Sequence, residues 1–79
     1  MTIEQLRKMH QGHPFQPFTI RMADGRNFYV PSPEWMSHSP SGRTVIVHQP
    51  VDSFSILDLL LMTELHVTPP PQNGVQQRP

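Results

Sequence analysis

Histidine is plentiful in this chain, with five in 79 residues. Imidazole nitrogens ligate zinc and move protons near neutral pH. His10 and His13 stand at a spacing used in metal sites, yet Gly12 and Pro14 place a helix end between them. A structural zinc wants four converging donors, and the chain has no cysteine. The histidines therefore read as surface residues, no cofactor or metal is expected, and a histidine metal site ranks third among the functional readings. Asp58 lies in an apolar run, where a buried carboxyl would act as a general acid with a raised pKa. The alternative, that it caps a turn starting at Leu59 by accepting backbone N–H bonds, is preferred. Serine, histidine and aspartate all occur, but no Gly-x-Ser-x-Gly elbow fixes a nucleophile. No glycine-rich phosphate loop is present either, so an enzyme is not expected.

Binding chemistry has more candidates. Arg21, Arg26 and Arg43 with Tyr29 would suit a phosphate or a stacked base if they shared a face. Charge argues the other way. The formal net charge is zero, and up to Val67 there are five basic residues against six acidic. A nucleic-acid binder draws most of its affinity from a basic excess. Trp35 and Met36 follow a proline-rich loop and offer an exposed anchor for a protein partner. Trp35 reads equally as a lid on the core, which is favoured because a small domain has few large residues to bury. Pro69-Pro70-Pro71 would fit an aromatic groove but lacks PxxP spacing, so a solubilising tail is the better reading.

The elements that must carry these residues follow from period and punctuation. Thr2 and Gln5 form a capping box, and Ile3, Leu6 and Met9 make one apolar stripe. A helix over residues 2–11 results, too short to persist unless it docks. From Phe18 the period becomes two, with Phe18, Ile20 and Met22 on one side. Asp24-Gly25 predicts a two-residue hairpin turn, and Phe28 and Val30 resume the alternation. Pro31 and Pro33 interrupt pairing, and Ser32 starts a single helical turn through Met36. Ser39 to Gly42 is a turn by composition. Arg43 to Gln49 predicts a strand with Val45 and Val47 on one face. Phe54 and Ile56, alternating with Ser53 and Ser55, predict another. A short turn after Ile56 and a last strand over Glu64 to Val67 complete a domain of residues 1–67, with the sheet spanning 18–67. Residues 68–79 are expected to be a disordered, proline- and glutamine-rich tail. The first residues are amphipathic and the longest apolar stretch, Leu59 to Met62, is too short for a bilayer. A cytoplasmic protein off the membrane is expected.

Pro14-Phe15-Gln16-Pro17-Phe18-Thr19-Ile20 followed by Ala23-Asp24-Gly25-Arg26 resembles a group of short uncharacterised bacterial proteins. Val30, Pro33-Glu34, Ser41-Gly42-Arg43 and Ile56-Leu57-Asp58 extend that resemblance over about residues 1 to 67. It supports the domain boundary and implies no activity. More loosely, the order of helix, bent strands and a turn before the last strand is similar to Sm-like and SH3-like small barrels. Asp24-Gly25-Arg26 is similar to the first Sm motif, whereas Gly42-Arg43 reverses the order of the second. That resemblance implies RNA binding and ring assembly. The fold expected is mainly β with one N-terminal helix (α+β): a strongly bent antiparallel sheet or SH3/Sm-like barrel of four or five strands. The leading functional expectation is a noncatalytic module that binds a protein, or itself, through a strand edge or the Trp35 loop. A nucleic-acid-binding small barrel is the alternative.

Overall fold

The computed structural model describes residues 1–67, and the proline-rich tail expected over 68–79 lies outside the described residues. Helix α1 (Ile3–His10) opens the chain. Thr2 Oγ1 accepts from Gln5 N while Gln5 Oε1 accepts from Thr2 N, which satisfies two orphan donors of the first turn. Leu6 is fully buried, with Ile3 and Met9 packed beside it. At the other end the ring of His10 donates through Nε2 to the carbonyl of Pro33 at 2.9 Å. The helix is thus stabilised by docking, as its eight residues require.

Six strands follow: β1 (Phe18–Met22), β2 (Asn27–Val30), β3 (Met36–His38), β4 (Thr44–Gln49), β5 (Ser53–Asp58) and β6 (Met62–Val67). They form two antiparallel sheets of three, ordered β2-β1-β6 and β3-β4-β5. A single continuous sheet, or a closed barrel of four or five strands, was the expectation. Instead the chain breaks between β2 and β3, where Pro31 and Pro33 withhold ladder donors. Pro33–Trp35 make a 3₁₀ turn there, and Met36, expected in that turn, begins β3. A second 3₁₀ turn, Leu59–Leu61, carries the chain from β5 in one sheet to β6 in the other. Leu59 N donates to Arg43 O, and Ala23 N to Leu61 O, so this crossing is tied to both sheets.

The sheets share one core of twelve side chains. Phe18, Ile20, Phe28 and Val30 come from the first sheet, Met36, Val45, Val47 and Leu57 from the second, and Leu6 from the helix. The β1–β2 connection differs from the two-residue turn expected. Gly25 N donates to Met22 O and Met22 N to Arg26 O, and only Gly25 is left-handed, at φ 92°. That is a three-residue loop of type I turn plus glycine bulge. At the β4–β5 tip, Val51 and Asp52 are both left-handed, at φ 65° and 55°.

Gly42 is where turn and packing meet. It is left-handed at φ 80°, and a Cβ there would fall 2.2 Å from Ile3 Cδ1. The loop before β4 therefore serves as a seat for the helix, open only to glycine. Gly25 is left-handed too, but has nothing within 4 Å of the same position. Gly25→Ala should cost about 1 kcal/mol, the backbone penalty alone. Gly42→Ala should cost about 2–3 kcal/mol, because Ile3 must also move. Urea denaturation of both variants checks the difference.

Candidate interaction surface

The residues proposed for nucleic acid do not assemble. Arg21 and Tyr29 both point outward from the first sheet, opposite Asn27 and Thr19. Tyr29 is 57% exposed. Arg43 precedes the Thr44 end of β4, whereas the groove beside Tyr29 runs past His48 and Gln49 at the opposite end. The expected convergence of Arg43 with Tyr29 is therefore absent. Each arginine is also paired: Arg21 with Glu64 at 3.5 Å, Arg26 with Asp24 at 2.8 Å, and Arg43 with Asp58 at 2.8 Å. Arg26 further lies 5.4 Å from the centroid of the Phe28 ring. Paired guanidiniums leave little net field for phosphate.

The protein-anchor pair also separates. Met36 is only 3% exposed and stands opposite Val47 inside the core. It is unavailable as a surface anchor, because the strand that starts at Met36 turns its first side chain inward. Trp35, just before it, is half-buried against the core. Its remaining surface lies between two open grooves that share His48 and Gln49. Of the histidines, His10 packs edge-on against His38 at 5.9 Å. Among the described residues no three His, Asp or Glu side chains form a group able to hold a metal.

Asp58 caps the turn as expected and does more. Its Oδ1 accepts from Leu60 N at 2.9 Å and from Arg43 Nε at 2.8 Å, and Oδ2 accepts from Arg43 Nη2. The hydrogen bond from Arg43, then that from Leu60 N, holds its pKa below the ordinary aspartate value. The same contact raises the pKa of Arg43. Asp24 is likewise lowered, first by the Arg26 backbone N–H.

The feature that sequence reading missed is the orientation of β5. Leu57 faces the core opposite Val45, which fixes Ser55 and Ser53 on the inward side and Phe54 and Ile56 on the outward side. The strand is therefore inverted over its first four residues: Phe54 and Ile56 face solvent, while half-buried Ser55 lies on the inward side. Phe54 is 57% exposed and Ile56 65% exposed. Ser55 Oγ donates to Gln49 Oε1 at 2.8 Å, which accommodates the inward polar positions. On β4 the half-buried Ile46 lies opposite Ile56, and His48 lies opposite Phe54 with ring centroids 6.3 Å apart. The signal was the adjacent pair Ile56-Leu57: in a strand, two consecutive apolar residues cannot both point inward.

β5 is also an edge strand, since the order is β3-β4-β5. From Ser53 to Leu57 it has neither a charge nor a proline to blunt that edge. Of the other three edges, β3 has only three residues, β6 carries outward Glu64, paired with Arg21, and exposed His66, and β2 has four residues and is followed by Pro31.

No family model, curated protein or solved structure matches this chain.

The Arg43–Asp58 contact gives a pH prediction. A depressed carboxyl pKa stabilises the fold above the unfolded-state value, and that stabilisation is lost as pH falls through the folded-state value. The Asp58 carboxyl ¹³C titration should have its midpoint below that of an ordinary aspartate. In Arg43→Ala the midpoint should rise toward normal, staying slightly low because Leu60 N still donates.

Proposed function

We propose that this domain is a noncatalytic protein-interaction module whose contact surface is the free edge and outward face of β5. The observation that carries the reading is the inverted alternation of β5 on an edge that is free of charge and proline from Ser53 to Leu57. Isolated exposed apolar residues are ordinary on any surface. Here two lie on one strand beside Ile46, next to a row of backbone donors and acceptors with no partner strand among the described residues. An extended segment added to that edge gains main-chain hydrogen bonds, and Phe54 and Ile56 supply the side-chain contacts.

The chemistry of the remaining surface supports the noncatalytic part. No buried polar or charged residue is found among the described residues. Catalytic groups are usually set to their task by burial or by unlike neighbours in a cleft. The groups with shifted pKa here, Asp24, Arg43 and Asp58, belong to exposed ion pairs. No serine or threonine hydroxyl donates to a histidine ring among the described residues.

The element order supports a relationship to the Sm-like and SH3-like small barrels. A helix leads, the strands run as a meander, and a 3₁₀ turn precedes a last strand that returns beside the first. On this reading the two sheets are the halves of a barrel opened at the Pro31–Pro33 corner.

Panning a random-peptide library against the purified domain tests the proposal. Extended sequences with alternating apolar residues should be enriched. Ile56→Lys should weaken their binding about tenfold or more while leaving the melting temperature nearly unchanged. Leu60→Lys, at an exposed leucine off the strand, should have little effect. If no sequence is enriched, or both variants bind like the parent, the β5 edge is not the contact surface.

A further inference from the structure

We infer that the strand received by the β5 edge is β5 of a second copy of this chain, giving a two-fold dimer with a continuous six-stranded sheet. This deepens the proposed function and rests on it.

The argument is one of register. Opposed residues in an antiparallel ladder point to the same side. β5 can therefore meet its own copy only where outward residues face outward ones. Centred on Ser55, the pairing places Phe54 opposite Ile56 of the second copy and Ile56 opposite its Phe54. Four apolar side chains then close over one another, flanked by Ile46 from each β4. The neighbouring allowed registers are worse. Centred on Ile56, the ladder sets Phe54 against Asp58, and centred on Phe54 it sets Ile56 against Asp52. Only one register keeps carboxylates away from the apolar pairs.

Charge opposes the pairing only at the ends of the ladder. In the Ser55-centred register Asp52 of the second copy comes opposite Asp58, a like-charge pair that weakens the ladder there, although Asp58 is already paired with the Arg43 guanidinium. A head-to-tail pairing of β5 with β6 has no apolar match. It would set Phe54 and Ile56 against the outward face of Thr63, Glu64 and His66, all exposed and polar.

Area sets the strength. Phe54 and Ile56, at 57% and 65% exposed, leave roughly 230 Å² of apolar surface per copy. A stable dimer usually covers about 800 Å² per partner. Even with the strand backbones added, the pairing falls in the weak class, so the dimer should be populated at high rather than low concentration.

Sedimentation velocity of the full chain, from low micromolar to near-millimolar concentration, reads the equilibrium. A shift from monomer to dimer is expected, and Ile56→Lys should weaken it about tenfold or more. The register is read by cross-linking, which is clean because the chain has no cysteine. Ser55→Cys lies on the two-fold axis and should form an inter-copy disulfide under mild oxidation. Ser53→Cys, whose own copy lies four residues along the ladder, should not. A closed particle larger than a dimer, or equal cross-linking at both positions, overturns the proposal. A wild-type chain that stays monomeric throughout, yet binds peptides through Ile56 in the panning experiment, overturns the self-pairing and leaves the interaction reading standing. Loss of both results removes both.

Discussion

Two small sheets and one short helix must fill a single core, and each strand has only one face to give. Phe18 and Ile20 spend the inward face of β1, Phe28 and Val30 that of β2, and Val45 and Val47 that of β4. Leu6 covers the core from the helix, positioned by a glycine that lets Ile3 approach the loop before β4. Once these places are taken, the orientation of β5 is decided by its contribution of Leu57. Phe54 and Ile56 are left outside as the geometric remainder of a core that is already full. Small domains have little slack of this kind, so an apolar remainder on an edge strand stands out.

Ion pairing works against the alternative use of the surface. The described residues hold five basic side chains, and three of them are matched to carboxylates: Arg21 across the β1–β6 ladder, Arg26 within its own loop and Arg43 to the end of β5. Exposed pairs of this kind add little stability individually. Their larger effect is on the field: they spread alternating charge over the sheets. Asp58 is the exception in kind, because its carboxylate also holds the first free N–H of the turn that carries the chain between sheets.

Much of this was legible in the chain itself. The Thr2–Gln5 box, the alternation from Phe18, the β-branched run to Gln49 and the cap at Asp58 each state a local preference that the fold keeps. Local signals failed where tertiary context decides. Met36–His38 is too short to show a period, and its pairing with β4 is what makes it a strand. Asp24-Gly25 was right as a turn and wrong in length, because Ala23 joins the loop and the glycine relieves it as a bulge. The face of β5 was hidden for a simpler reason. Alternation reveals that a strand has two sides, but which side is inward depends on its neighbour across the ladder, here Val45 opposite Leu57. The same limit applied to Trp35 and Met36, adjacent in sequence yet one half-buried and the other enclosed.

The tip of the β4–β5 hairpin has a value of its own. Val51 is 96% exposed and left-handed, as is Asp52 after it. A branched side chain in that conformation costs about 1–2 kcal/mol and is repaid by no contact in the core. The tip is thus closed by the ladder below it, Gln49 against Ser53, rather than by its own preferences. Foreign loops could be spliced in at Val51 with little to lose, and glycine or asparagine there would come with stability to spare. The domain offers a display scaffold with its grafting point already chosen by strain.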